Sequence, residues 1–530
     1  MSLYTRFHLK KVEKTLCVIA NYQRLNSTAA AAAPSHKTTK EKYGYVISDA
    51  GESKRDRDHD GFLNIGLVNL PAPLKESLKV FYSVHPKKRL TEDGMRLTRH
   101  LRNRGRPTNS TWTKYKSQNK GSKKILRQEV KQFSLEEAVK AGLVDSDVSL
   151  QQREETNNET EDVEEDIGGE TKPEKRQKGP TKPKSTEYSV VRYGARETTA
   201  YVASQSNTVY AATYRALSEI KKRVPEYNPK TLLDFGSGTG MTVWAASELW
   251  RKSIKEYQCV DVSERMNDTG EFLLRGGDDR KLPLKVPNVY FKRFLPISNQ
   301  LMYDVVVSSY SLTELPFRSQ RAQAIRSLWN KTNDFLVIVE PGNNEGFDAT
   351  LQARQFLLRS LEEEFMEDDY DSGWDSIQGE QNRSDGYIFA PCPHEETCAR
   401  TYVETRDQPC NFYQKTEIPF ALRNTNMKRY GYAGERFSYL ILRKGRNNMQ
   451  TDDEGWTRIL KEPKSRNRHI ICELCCSNGN IEKHVVTKNK DPYVYKALRH
   501  CLHQGDRMPL EEAKRPMNIR KPVPPKEKDE

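Results

Sequence analysis

Six of the nine cysteines in this 530-residue chain crowd into one stretch: Cys392, Cys398, Cys410, Cys472, Cys475 and Cys476. In a thiol-reducing compartment such clustering favours metal binding over disulfides. The first three read C-x5-C-x11-C within a loop punctuated by proline, and a fourth thiolate must come from Cys472, Cys475 or Cys476 of the CELCC segment. Four thiolates can hold a cubane [4Fe–4S] cluster or a tetrahedral zinc ion. Zinc knuckles use the tight spacing that only Cys472 and Cys475 show, so the wider first group and its proline neighbours favour the cluster. Zinc is the alternative, and unliganded buried thiols the third reading. His394, inside the loop, is an additional ligand or an ordinary loop histidine.

A second group lies earlier in the chain. The segment LLDFGSGTGMTVWAA supplies Asp234, Gly236, Ser237, Gly238 and Gly240 where an apolar strand meets a helix. Glycine is required where the backbone turns sharply and lets a ligand approach closely. Met241 follows Gly240, so the Lys-Ser/Thr pair of a phosphate-gripping loop is missing. Asp261 ends the next strand, where an acid can accept hydrogen bonds from both ribose hydroxyls.

Both groups need a frame. Thr231–Phe235, Tyr257–Val262, Tyr303–Ser308 and Asp334–Glu340 are apolar strands separated by segments of helical spacing, which predicts βαβ units and a parallel sheet. Phe437–Leu442 is a later strand at the edge of that sheet. Val209, Ala212, Ala216, Leu217, Ile220 and Val224 form the apolar stripe of a helix that Pro225 and Pro229 end. The fold class is therefore α/β.

The G-S-G-T-G loop with its preceding acid resembles motif I of class I methyltransferases, whose Rossmann-like domain binds S-adenosylmethionine. It lacks the longer glycine spacing of dinucleotide enzymes. Catalytic residues do not stand out. Ser308-Ser309-Tyr310-Ser311 follows the fourth strand without the prolines of base-amine methyltransferases, and no Pro-Cys or Thr-Cys pair offers a nucleophile there.

The formal net charge is +14, a basic excess that points to an acidic partner, with nucleic acid the commonest. Residues 1–40 hold seven Lys and Arg against one acid, Glu13, among Ser, Thr and Ala; that is the make-up of a mitochondrial transit peptide. Residues 41–144 read as a helical, basic N-terminal region, with helices at Leu74–Tyr82 and Phe133–Leu143. Trp112 and Tyr115 sit among cations in Arg96–Lys131, a mixture that suits RNA or, alternatively, a solvated helix face. Residues 145–187 are an acidic then basic low-complexity linker. A methyltransferase-like domain follows over 188–445, with a cysteine-rich insertion around 387–415, and 446–530 is a C-terminal extension carrying CELCC and a basic tail. No stretch approaches the roughly eighteen apolar residues of a membrane span.

Together, AYVASQSNTVYAATYRALSEI, LLDFGSGTG, VVSSYSLTEL, VIVEPGNNEGF, PCPHEETC, CNFYQ and CELCC resemble the mitochondrial methyltransferase-like protein 17 family, from about Tyr188 to Val486. The resemblance implies an assembly factor of the mitochondrial small ribosomal subunit in the matrix, binding ribosomal RNA alongside other assembly factors. It further implies a [4Fe–4S] cluster, and an S-adenosylmethionine fold that no longer transfers methyl groups. Carried over by position, the cluster ligands are Cys392, Cys398, Cys410 and Cys475, with Cys472 the substitute for the last. An active ribosomal RNA methyltransferase and a zinc-stabilised RNA-binding protein are the competing readings.

Overall fold

Alternation of side chains across apolar strands decides the architecture. In β5 (Tyr303–Ser309) and β6 (Thr332–Pro341), Val305, Val307, Phe335, Val337 and Val339 join one buried cluster, while Val306, Leu336 and Ile338 join another on the opposite face. A strand buried on both faces needs helices on both, as parallel sheets do. In the computed structural model the described residues are 61–104, 188–277, 282–296, 298, 300–358, 386–401, 408–424, 429–445, 456–490, 492–500 and 502–508. The basic segment 1–40, the stretch with Trp112, Tyr115 and Phe133–Leu143, and the linker 145–187 lie outside them.

The remaining strands of this sheet are β1 (Leu67–Val68), β2 (Thr231–Phe235), β3 (Glu256–Val260), β4 (Val289–Lys292), β7 (Gly386–Ala390), β8 (Phe412–Thr416) and β9 (Ala433–Lys444). Among the described residues the order is β1-β8-β9-β6-β5-β2-β3-β4, with β7 beside β9. Strands β4, β3, β2, β5 and β6 run parallel, and β9 runs antiparallel to β6, β7 and β8. A single reversed strand next to β6, and an order that turns back between β2 and β5, is the class I S-adenosylmethionine-dependent methyltransferase form of the Rossmann-like fold. The sequence expectation put Phe437–Leu442 at the sheet edge. The structure instead flanks β9 with β6 on one side and with β7 and β8 on the other, and β1 lies beyond β8.

Helices α1 (Ala72–Ser83) and α2 (Lys87–Asn103) precede α3 (Ala195–Ser204) and α4 (Ser206–Arg223). Leu74, Leu78 and Phe81 of α1 and Val209, Ala212, Ala216, Leu217 and Ile220 of α4 pack on the first face of the sheet with α5 (Met241–Trp250) and α6 (Glu264–Leu274). On the second face, α7 (Arg318–Asn330) and α8 (Asn344–Leu358) bury Ile325, Leu328, Ala349 and Ala353.

Beyond residue 456 the chain builds a second sheet from β10 (Thr457–Ile459), β11 (Lys464–Ser465), β12 (His469–Cys475), β13 (Ile481–Thr487) and β14 (Arg507–Met508), with every pairing antiparallel. The last helix, α9 (Pro492–His500), buries Val494, Ala497 and Leu498. Two buried charges fasten this sheet to the rest. Asp506 accepts from the backbone N–H groups of Leu63 and Asn64, at 2.7 and 2.8 Å. Arg458 in β10 donates to Glu219 of α4 at 2.6 Å. Burial alone would raise the Glu219 pKa, but the guanidiniums of Arg458, Arg215 and Arg223 outweigh it and hold the carboxylate at about 2.

Candidate functional site

The glycine loop forms where β2 ends at the carboxyl edge of the sheet, the usual place for ligands in this fold. Gly236, Gly238 and Gly240 all take positive φ, at 67°, 51° and 78°. At Gly236 a side chain has no room either, because its Cβ would collide with Ser311 Oγ. Ser311 Oγ donates to the Phe235 carbonyl at 2.8 Å and so pins the turn after β5 against the loop. Gly238 faces Tyr201 from α3, whose hydroxyl lies 3.7 Å and ring edge 3.9 Å from where its Cβ would be, so an aromatic wall closes one side of the cradle.

Two acids frame this loop. Asp234 is fully buried, and neither carboxylate oxygen has a hydrogen-bond partner among the described residues. Burial pushes its pKa up to about 7, and the Asp261 charge adds to the rise. Asp261 accepts from Gly238 N–H and Ser263 N–H, each at 2.9 Å. Burial raises its pKa, and those two backbone donors work in the opposite direction. Each of its oxygens keeps a second lone pair for a further donor such as a ribose hydroxyl. The hydroxyls of Ser237 and Thr239 are buried and unpartnered as well. Orphaned polar groups around a loop of three positive-φ glycines are what a polar, adenosine-containing ligand would satisfy.

Sequence reasoning missed two further acids at this edge. Glu340 ends β6 and accepts from the N–H groups of Ser311, Leu312 and Thr313 and from the Thr313 hydroxyl, which fixes the turn following Tyr310. Glu435 in β9 accepts from the Tyr310 hydroxyl at 3.0 Å. Burial pushes both carboxyls up to about 7. Tyr310 itself holds a left-handed φ of 56°. No local motif marks these acids; only the pairing of β6, β9 and β5 brings them together.

The cysteines meet on the second face. Cys392 follows β7 and the cis Ala390–Pro391 bond, Cys398 leads into a short 3-10 turn at Ala399–Thr401, Cys410 precedes β8, and Cys475 ends β12. All four line one cavity, with Phe347, Arg354, Arg400, Tyr439, Leu440 and Leu460 among its other walls. Their mutual proximity is felt in their acidities. Burial first, then the neighbouring thiols, pushes Cys398 up to about 11, Cys410 higher still, and Cys475 well above the ordinary thiol value. Thiols that raise one another's pKa release protons readily only to a cation that takes their place.

Cys472 is excluded by the pleat. It lies three residues before Cys475, hence on the opposite face of β12, where its Sγ donates to the His484 carbonyl at 3.7 Å. Burial raises it to about 12 with no cysteine contributing. Cys259 is buried in β3 directly beside Asp234 of β2, under the glycine loop, and takes no part in the cysteine cavity. His394 Nε2 lies 3.4 Å from Cys475 Sγ, while burial and the Arg354 charge lower its pKa to about 4. Arg354 and Arg400 each leave a buried Nε–H unpartnered at this cavity. An anionic tetrathiolate centre would accept those donors, so the residues present fit a metal group held by four sulfurs. Arg458, the clamp on Glu219, also donates to the Pro391 carbonyl at 2.9 Å and so sets the residue that precedes Cys392.

The model of the family described as mitochondrial small ribosomal subunit Rsm22 matches residues 195–509, which takes in the glycine loop, all four cavity cysteines and the second sheet. The chain belongs to the Rsm22 family. Two relatives bracket the range of similarity. The human mitochondrial ribosome assembly protein METTL17 is 35% identical over 312 residues, covering 58% of this chain and 62% of that protein. The Saccharomyces cerevisiae mitochondrial ribosome assembly protein RSM22 is 23% identical over 415 residues, covering 57% of this chain and 65% of that protein. The matches therefore span somewhat under two thirds of either relative's length. Solved structures that resemble the chain include the plantazolicin methyltransferase BpumL with SAH (15% identity, 45% of this chain, 83% of that one, TM-score 0.23). Another is a SAM-dependent methyltransferase from Aquifex aeolicus (16% identity, 29% of this chain, 75% of that one, TM-score 0.23). In this Rsm22-family chain α1, α2 and β1 precede the matched range, yet Val68 pairs with Thr416 in β8 and Asp93 of α2 accepts from Arg196 at 2.6 and 2.8 Å.

Proposed function

We propose that this chain is an assembly factor of the mitochondrial small ribosomal subunit that binds its ribosomal RNA in the matrix, together with other assembly factors, and transfers no methyl group. The observation that carries the reading is Rsm22-family membership across both centres, in a family whose human and yeast members are ribosome assembly proteins by name. The basic segment 1–40 serves as the import signal. Exposed Lys87, Lys88, Arg89, Arg96, Arg99 and Arg102 on α2 offer a row of cations to phosphates. Among the described residues no helix is long and apolar enough to cross a membrane.

Cys392, Cys398, Cys410 and Cys475 would hold a [4Fe–4S] cluster, with Arg354 and Arg400 as outer donors. A bound cluster would supply a rigid cross-link between the first sheet, at β7 and β8, and the second sheet, at β12. Asp234, Gly236, Ser237, Gly238, Gly240 and Asp261 would hold S-adenosylmethionine, which supplies an electrophilic methyl group when bound. Here the chain's own groups bind and orient: Asp261 takes the ribose, the glycines admit the methionine part, and Tyr201 shields it from water.

The second reading, an active ribosomal RNA methyltransferase, draws on one observation. Glu435, with a pKa near neutrality and a bond to Tyr310, could accept a proton at the carboxyl edge where an acceptor would enter. The test maps methylated nucleotides of the small-subunit RNA in cells lacking the protein and assays purified protein with that RNA and S-adenosylmethionine. The proposal predicts salt-sensitive RNA binding, an unchanged set of methyl marks and no transfer. Loss of one defined mark, restored in vitro by the purified chain, overturns it.

A further inference from the structure

The CELCC segment contains two adjacent cysteines, and the four-cysteine cavity uses only one. Cys476 follows the last residue of β12 and still bonds to Asn480 across the hairpin, and its sulfur lies beside Glu482 and His484 of β13. Cys476 is 7% exposed, on the side shared by Cys472 and Leu474. Strand β13 pairs with β12 in a register that sets Glu482 opposite Leu474 and His484 opposite Cys472, so both approach Cys476 from the partner strand. The sulfur, carboxylate oxygen and imidazole nitrogen of Cys476, Glu482 and His484 all lie within 4.8 Å of one another. His484 is 8% exposed, and the Glu482 side chain 15%.

We propose that Cys476, Glu482 and His484 form a second metal site that takes a zinc ion through one sulfur, one oxygen and one nitrogen. The donor set selects the metal class. Calcium and magnesium want oxygen throughout, whereas zinc accepts a mixture of thiolate, imidazole and carboxylate. Three protein ligands leave a fourth position to solvent, which reaches the site past the partly exposed Glu482. Binding replaces the 2.8 Å hydrogen bond between His484 Nε2 and Glu482 Oε2 with a shared cation, and the Cys476 thiol gives its proton to solvent.

The scaffold is set beforehand. Cys476 N–H donates to the Asn480 carbonyl at 2.9 Å, Gly479 N–H to the Cys476 carbonyl at 3.1 Å, and Asn478 Nδ2 holds the other Glu482 oxygen at 3.3 Å. The hairpin tip also touches the four-cysteine loop: a Cβ at Gly479 would sit 2.8 Å from Glu396 Cβ and 3.7 Å from His394 Nδ1. A cation on one face of β12 would therefore stiffen the strand that presents Cys475 on the other. The proposal does not depend on what the four-cysteine cavity holds.

Elemental analysis of the full-length protein, purified anaerobically and dialysed against zinc and then metal-free buffer, tests the site. Wild type is expected to retain about one zinc in addition to whatever metal the four cysteines hold. His484→Gln and Cys476→Ser should each lose that zinc while keeping iron and sulfide, and Cys392→Ser should do the reverse. Glu482→Gln, nearly isosteric, guards against misfolding: its circular dichroism should match wild type while its zinc affinity falls at least about tenfold, the loss expected of a ligating carboxylate. Equal zinc in wild type, His484→Gln and Cys476→Ser would overturn the proposal, as would no retained zinc in the folded wild type. Two zincs and no iron, one lost in Cys392→Ser and the other in His484→Gln, would support this site and refute the iron–sulfur reading.

Discussion

The two centres are built in opposite ways. The glycine loop is one contiguous segment, and its shape follows from local chemistry: three positive-φ glycines between a buried strand and a helix. The cysteine cavity is assembled from β7, the turn after it, the start of β8 and the end of β12, so no one of those segments shapes it alone. A locally specified site tolerates drift elsewhere in the chain, whereas an assembled site fails when any one segment is displaced. Substitutions at the cavity should therefore act on the whole architecture, and substitutions of the loop glycines mainly on its ligand.

The largest effect expected from this contrast is at the thiols. Ser in place of Cys392, Cys398, Cys410 or Cys475 should abolish iron and acid-labile sulfide, read by elemental and sulfide assay, because no other described thiol shares the cavity. Cys472→Ser should leave both unchanged, since its sulfur lies across the pleat. Loss of iron in Cys472→Ser with retention in Cys475→Ser would reverse the assignment.

Next comes the clamp behind the cavity. Arg458→Met strands Glu219 without its principal cation and should cost about 3–5 kcal/mol in denaturant unfolding, with iron content falling as Pro391 loosens. The double variant Glu219→Gln/Arg458→Met should recover much of that loss. The sign with pH follows from the depressed carboxylate. Its contribution is complete above the unfolded value, about 4.3, and disappears as pH falls through about 2.

At the loop, Gly238→Asp brings a side chain and a charge against Tyr201 and should weaken S-adenosylmethionine binding by at least about 2 kcal/mol, measured by titration calorimetry, with iron content unchanged. A parallel fall in iron would show that the two centres are not independent.

The effect confined to a narrow pH range concerns Asp234, whose folded pKa of about 7 lies above its unfolded value of about 3.9. A raised carboxyl favours folding only while protonated, so its penalty grows as pH rises through that interval. Asp234→Asn should therefore raise stability at pH 8 by on the order of 2–4 kcal/mol, and by nothing near pH 4, in paired thermal melts. Equal gains at both pH values would mean that the carboxyl is not held neutral.

The sequence was most informative where a signal is local. Thr231–Phe235 matches its strand to the residue, and Tyr303–Ser308 differs by one, because apolar runs that end in glycine or serine define their own limits. Strand β8 and the second sheet were not legible, since β10, β11 and β14 have two or three residues each and exist only through their partners. The same holds for Glu219 with Arg458, and for Tyr310 with Glu435: charged or polar residues far apart in sequence reveal a pairing only once the strands are placed.

Under the proposed function, ribosome assembly depends on the cysteine cavity and not on methyl transfer. That dependence is tested most directly by the sedimentation profile of mitochondrial small subunits from cells in which the wild-type gene is replaced by Cys475→Ser or by Gly238→Asp. Cys475→Ser should deplete mature small subunits and accumulate immature ones, while every ribosomal RNA methyl mark persists in Gly238→Asp. A normal profile in Cys475→Ser, or the loss of one methyl mark in Gly238→Asp, would contradict it.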